Sequence, residues 1–175
     1  MDAVFHRCAK DLLTLIETPA ARERRGLIRT LVALLEAEDG TAALAAKALF
    51  RHECLAGAER ATVGNAVREA GGIAPLVELL RAGGGSQAAA YAAAGALMNL
   101  AKNNPTNKDA IREAGGIAPL VELLRTGGGS EAATQAAGAL WILAVNNQTN
   151  QDAIREAGGI APLVELLRAG GGSEA

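Results

Sequence analysis

The sequence predicts an all-helical repeat protein rather than a protein with one globular core. Nearly the same fifteen residues occur three times, as VREAGGIAPLVELLR from Val67 and with Ile as the first residue from Ile111 and Ile154. The period is 43–44 residues, which matches repeats built of two or three helices. Apolar residues in each copy follow the i, i+3, i+4, i+7 spacing of a helix that buries one face. Such units cannot bury their apolar faces alone, so we expect them to stack into a superhelix.

Each complete unit is predicted to contain three helices, and glycines separate the first helix from the second. In the second unit the first helix is expected from Thr106 to Ala114, because Thr106 and Asp109 form a capping box. Gly115 and Gly116 end this helix, since glycine accepts the left-handed backbone conformation. Pro119 suits the first turn of the second helix. The predicted buried stripe of that helix is Ile117, Leu120, Val121 and Leu124.

The third helix of the second unit is expected to run to about Val145. Three glycines precede it, and Ser130 is a residue type that caps helix N-termini well. Gly138 lies in the middle of this helix, where glycine costs about 1 kcal/mol relative to alanine. We therefore expect a neighbouring helix to approach closely at Gly138. The predicted buried face is Ala133, Ala136, Ala137, Leu140 and Ala144.

The repeats predict four segments along the chain. Residues 1–61 are expected to form a divergent N-terminal helical unit, 62–105 and 106–148 complete repeats, and 149–175 a repeat that lacks its third helix. In the first segment, one helix is expected from Asp2 to Glu17 and another from Thr18 and Pro19. Thr41 corresponds to the later helix cap Ser86, and a second-helix stripe is expected at Ile28, Leu31, Val32, Leu34 and Leu35.

Composition excludes several classes of protein. The formal net charge is -2, which does not favour nucleic-acid binding. The N-terminus does not have the pattern of a secretory signal, and no apolar run approaches the roughly 20 residues that span a membrane. Two cysteines do not make a disulfide framework. We expect an intracellular protein, cytoplasmic or nuclear, that neither inserts into membranes nor binds nucleic acid.

The segments AGGIAPLVELL, GALMNLA and GALWILA resemble the armadillo-repeat family, as in importin-α, β-catenin and plant or vacuolar armadillo proteins. The resemblance covers residues 62–175. It implies a right-handed α-solenoid of three-helix repeats. It also implies a non-catalytic scaffold that binds a partner protein or an extended peptide along a concave groove lined by the third helices.

The resemblance places candidate groove residues on the third helices. Asn99 matches the asparagine that bonds the peptide backbone in peptide-binding members, whereas Ile142 stands at this position in the next unit. Gly95 and Gly138 stand where the family has its groove tryptophan. Trp141 is expected to pack between repeats. The expected groove set is Asn99, Tyr91, Gly95, Asn103, Gln135, Ile142 and Asn146, and for the asparagines the alternative is that they merely end helices.

Other residue patterns predict no chemistry. The pairs His6/Cys8 and His52/Cys54 have zinc-ligand residue types, but positions i and i+2 point to different faces of a helix. The triple-glycine segments lack the lysine of a phosphate loop. No Ser/His/Asp or Cys/His set can be assembled, so we expect no enzyme activity, cofactor or metal. The basic residues Arg22, Arg24, Arg25 and Arg29 are interpreted as a solvated face.

The alternative function is structural. In a complete array a third helix and a further repeat would cover the second helix of the last unit. We therefore expect an open face that associates with a second copy of the chain. The residues of this face are Ile160, Leu163, Leu166 and Leu167.

Overall fold

The computed structural model describes residues 21–36, 41–50, 57–82 and 86–170. The expected helices over Asp2–Glu17 and from Thr18 lie outside these residues. Within them the chain forms ten α-helices and no strand. The helices are α1 (Ala21–Leu35), α2 (Thr41–Phe50), α3 (Gly57–Glu69), α4 (Ile73–Ala82), α5 (Gln87–Ala101), α6 (Pro105–Glu113), α7 (Ile117–Thr126), α8 (Glu131–Ala144), α9 (Gln148–Glu156) and α10 (Ile160–Gly170).

The helices recur in the order first, second and third. Helices α3, α4 and α5 form one unit, α6, α7 and α8 form the next, and α9 and α10 are the first and second helices of another. The third helices α5 and α8 pack side by side, α2 packs against α5 in the same way, and each of the three also packs on the second helix that precedes it. The fold is therefore an α-solenoid with a continuous layer of third helices.

The predicted apolar stripes form the core of the solenoid. In α7 all four predicted residues are buried, and in α1 Ile28, Leu31, Val32 and Leu35 are buried while Leu34 is half-buried. In α8 the small residues Ala133 and Ala136 are fully buried together with Leu140, whereas Ala137 and Ala144 are half-buried. The spacing of apolar residues thus identified which face of each helix packs inward.

The predicted capping box at Thr106 is wrong. Helix α6 begins one residue earlier, at Pro105, and its N-cap is Asn104, whose Oδ1 accepts a hydrogen bond from the backbone N–H of Asn107 at 3.1 Å. Asn147 caps α9 in the same way. The residue directly before each cap, Asn103 or Asn146, has a left-handed backbone. This conformation turns the chain sharply, so that Asn104 and Asn147 stand at the starts of their helices.

The predicted close approach at Gly138 is confirmed. A Cβ atom on Gly138 would lie 2.9 Å from the sulfur of Met98 on α5. One unit earlier, a Cβ atom on Gly95 would lie 2.6 Å from the ring of Phe50 on α2. Each glycine therefore accepts a large side chain from the preceding third helix. This contact sets the spacing of the third-helix layer.

Candidate partner-binding layer

The third-helix layer, formed by α2, α5 and α8, carries the residues that the sequence assigned to a groove. Its interior is mostly alanine, which allows the helices to pack closely. Tyr91 is half-buried, and its ring meets that of Phe50 edge to face, with ring centroids 5.4 Å apart. Because Phe50 also covers Gly95, these three residues form one contact between α2 and α5. Tyr91 and Gly95 are therefore brought together, but Gly95 is buried.

Asn99 is not presented to solvent. Only 2% of the residue is exposed, and its side-chain amide donates a hydrogen bond to the carbonyl oxygen of Phe50 at 2.6 Å. Phe50 is the last described residue of α2, and carbonyl groups at the end of an α-helix need partners from outside it. Asn99 thus supplies a hydrogen-bond donor to the carbonyl group at the end of the preceding third helix.

Asn103 and Asn146 end helices. Both have positive φ angles, 55° and 54°, in the left-handed region that asparagine tolerates better than most residues. Both are exposed, and each directly precedes the asparagine that caps the next helix. Their backbone conformation supports the helix-ending alternative.

Gln135 and Ile142 lie two turns apart on the same side of α8, and both are half-buried. The amide oxygen of Gln135 is shielded from solvent and has no hydrogen-bond partner among the described residues. Leaving a buried acceptor without a donor typically costs about 1–3 kcal/mol. The layer therefore holds one acceptor that its own residues leave unused.

The expectation that Trp141 packs between repeats stays a prediction. The residue is 66% exposed, and Val145, one turn later, is also exposed. Trp141 occupies the position of Met98 in the repeat, and Met98 packs on the following third helix. Among the described residues no third helix follows α8, so the side chain of Trp141 has no helix to pack against.

Two buried asparagines on the first helices were missed in the sequence. Asn107 donates to the carbonyl of Leu100 at 2.9 Å, and Asn150 donates to that of Leu143 at 3.1 Å. Both residues are fully buried and recur at the same repeat position. The recurring four-residue pattern TN-x-D is a signal for them, although its threonine and aspartate also fit a capping box. They tie each first helix to the end of the preceding third helix.

Charged residues also join helices within a unit and between consecutive units. Lys108 is a buried residue, and its ammonium group donates to the carbonyl of Val145 at 2.6 Å. Burial lowers the pKa of Lys108, and the nearby Asp109 carboxylate partly offsets this effect. Arg81 donates to the carbonyl of Gly115 at 3.4 Å, and Arg125 donates to that of Ala157 at 3.3 Å. These cations lie at C-terminal ends of helices, where positive charge is favourable.

The remaining sequence patterns supply no further site. Arg25 and Arg29 are exposed, which agrees with a solvated face, while the side chains of Arg22 and Arg24 lie outside the described part. Both His/Cys pairs also lie outside it, and the described residues contain no cluster of metal-ligating side chains. None of the described helices has the length and hydrophobicity to cross a membrane.

The predicted open face lies on α10. Ile160 and Leu167 are 55% and 75% exposed, and Leu163 and Leu166 are half-buried. Val164, which the sequence prediction omitted, is 40% exposed. Ile160, Val164 and Leu167 form one stripe at helical spacing.

Comparison with known proteins agrees with this architecture. Residues 103–145 match the model of the armadillo/beta-catenin-like repeat family. A crystal structure of an engineered protein is 32% identical, with a TM-score of 0.77 over 92% of this chain and 64% of that one. Computationally designed armadillo repeat proteins for modular peptide recognition are 26% identical, with a TM-score of 0.77 over 93% of this chain and 67% of that one.

A third solved structure supports the fold alone. It is a designed armadillo repeat protein in complex with the peptide (KR)4, is 24% identical and has a TM-score of 0.55 over 90% of this chain and 73% of that one. No curated protein matches the sequence. The chain spans 64% of the length of the engineered protein. Residues 103–145 therefore match an armadillo repeat, and the described helices have the fold of an armadillo-type solenoid.

Proposed function

We propose that the chain is a non-catalytic scaffold that binds a partner protein or an extended peptide along its third-helix layer. The observation that carries this proposal is the unused acceptor on Gln135 within a layer of small side chains. An extended peptide has a backbone N–H group at almost every residue, so it can donate to this oxygen after a small rotation of the side chain. The designed armadillo proteins for modular peptide recognition share this architecture.

The binding residues in this proposal differ from the family pattern. Asn99 already donates to Phe50, so it supports the layer rather than contacting the partner. Gln135 supplies the polar contact, and the half-buried side chains of Ile142 and Tyr91 supply apolar contacts. Asn103 and Asn146 shape the helix ends and contribute little to affinity.

An affinity capture with three forms of the chain tests the proposal. Two variants are compared with the wild type. Gln135→Ala/Ile142→Ala changes the third-helix layer. Glu113→Ala changes an exposed residue of the first helix α6, outside that layer. We expect the same partner to bind the wild type and Glu113→Ala but not the double variant. Equal capture by the double variant, shown by circular dichroism to be folded, would reject this layer as the site.

A further inference from the structure

A cavity of about 840 Å³ lies on the side of the solenoid where second helices end and third helices begin. It is bounded by the C-terminal end of α4, the N-terminal end of α5, one face of α7 and the turn at Ala157 that follows α9. Among the described residues, none of α10 and none of the expected groove set lines it. The cavity is therefore formed by parts of three consecutive units and is separate from the proposed groove.

The floor of the cavity is apolar. Leu80, Ala90 and Val121 line it, and all three are buried residues of the core. Beside them, Leu123 is half-buried and Ala118 is exposed. Pockets that bind small molecules typically have volumes of roughly 300–1,000 Å³ and are lined mainly by apolar side chains. The size and the floor of this cavity thus suit a ligand with an apolar body, which would cover Leu123 and Ala118.

One cation beside this floor has unused hydrogen-bond donors. Ala118, Glu122 and Arg125 follow one another at helical spacing on α7, and all three line the cavity. A guanidinium group has five N–H donors. Among the described residues, that of Arg125 makes one hydrogen bond, donated to the carbonyl of Ala157 at 3.3 Å. The carboxylate of Glu122 lies 3.7 Å from it, too far for a hydrogen bond. Because the side chain is 52% exposed, it can turn towards a ligand at little cost.

The equivalent cation of the preceding unit is more fully engaged. Arg81 has the repeat position of Arg125 and also lines the cavity. It donates to the carboxylate of Glu78, which does not line the cavity, and to the carbonyl of Gly115 at 3.4 Å. The charged residues that line the cavity are therefore two arginines and one glutamate. This balance favours an anionic ligand, and Arg125 is the arginine with donors to spare.

We propose that this cavity binds a small amphipathic anion, whose apolar body lies on Leu80 and Leu123 and whose carboxylate or phosphate group is held by Arg125. Arginine suits this role because two of its N–H groups can donate to two oxygens of such an anion at once. Arg81 adds positive charge at the other end of the cavity. The site is independent of Gln135 and of the proposed groove function.

The probe is decanoate, which combines an unbranched apolar chain with one carboxylate. We expect isothermal titration calorimetry to show saturable binding of one decanoate per chain. Backbone amide chemical shifts should change most at Leu80, Leu123 and Arg125. Decyl phosphate, titrated in parallel, shows which of the two anionic groups is preferred. Decanamide has a similar apolar chain without the charge, and it should bind at least about tenfold more weakly because it loses the charge-assisted hydrogen bonds.

Variants of the chain separate the two parts of the site. Arg125→Ala should weaken decanoate binding by at least about tenfold and leave decanamide binding unchanged. The matched control is Arg155→Ala, which removes an exposed arginine that also pairs with a carboxylate three residues earlier but lies outside the cavity. It should bind decanoate normally. Ala118→Phe fills the cavity from an exposed position, so it should abolish binding of both compounds while retaining the wild-type circular dichroism spectrum.

Four results would overturn the proposal. The first is the absence of saturable binding by both decanoate and decyl phosphate. The second is equal binding of decanoate and decanamide, which would mean that the chain binds apolar compounds without regard to charge. The third is a set of shift changes centred on the exposed Leu167 of α10 instead of on the cavity. The fourth is unchanged decanoate binding by Arg125→Ala or by Ala118→Phe.

Discussion

The side-chain amide of Asn99 donates to the carbonyl oxygen of Phe50 at 2.6 Å and so joins two consecutive third helices. We expect Asn99→Ala to lower the free energy of unfolding by about 1–3 kcal/mol, because a buried acceptor loses its donor. Chemical denaturation measures this change. Gln87→Ala, an exposed substitution on the same helix, should stay within about 0.5 kcal/mol of wild type. An Asn99→Ala variant as stable as Gln87→Ala would contradict the assignment.

The two buried asparagines of the first helices form a matched pair for a second prediction. The Oδ1 atom of Asn107 accepts a hydrogen bond from Arg68 at 2.8 Å, whereas that of Asn150 has no hydrogen-bond partner in the structure. We expect Asn107→Ala to destabilise the chain by about 1 kcal/mol more than Asn150→Ala, the usual worth of one net hydrogen bond. Denaturation of both variants under the same conditions measures the difference. The reverse order would be evidence against the Arg68 contact.

Gly95 and Gly138 of the third-helix layer are expected to differ in how well they tolerate substitution by alanine. At Gly95 a new Cβ atom meets the rigid ring of Phe50, whereas at Gly138 it meets the flexible end of Met98. Alanine is favoured over glycine within a helix by about 1 kcal/mol. We therefore expect Gly138→Ala to be close to neutral and Gly95→Ala to be destabilising. Thermal unfolding of the two variants decides this, and equal melting temperatures would be inconsistent with the Phe50 contact.

Some features of this fold can be predicted from the sequence, and others depend on contacts between distant parts of the chain. The helices and their buried stripes followed from apolar spacing and glycine breaks, which are local properties. The role of Asn99 was not predictable, because it depends on where α2 ends, 49 residues earlier in the chain. The environment of Trp141 cannot be predicted from its own helix, because it depends on whether another helix packs beside α8. The cap at Asn104 was missed because the left-handed backbone of Asn103 is set by the preceding helix.

Lys108 predicts a pH dependence. Burial lowers its pKa from the ordinary value of 10.5, so the unfolded chain binds more protons in the interval just below that value. The free energy of unfolding therefore gains a contribution that grows as pH rises through the folded pKa and is complete above 10.5. It is lost again as pH falls through the folded pKa.

The control for this effect is Lys108→Gln, which places at this position the residue that the next unit carries at Gln151. Denaturation of both forms should show wild type gaining stability relative to the variant as pH is raised towards 10.5. A difference that does not change with pH would mean that Lys108 titrates alike in the folded and unfolded chains.

A partner is proposed to bind the third-helix layer through α8. The most direct measurement is a map of backbone amide chemical shifts in the isotopically labelled chain, recorded with and without the minimal partner segment identified by affinity capture. We expect the largest changes at Gln135, Ile142 and Tyr91, with little change at the exposed residues Glu113 and Gln151 of the first helices. Changes concentrated on α6 and α9, with the third helices unaffected, would contradict it.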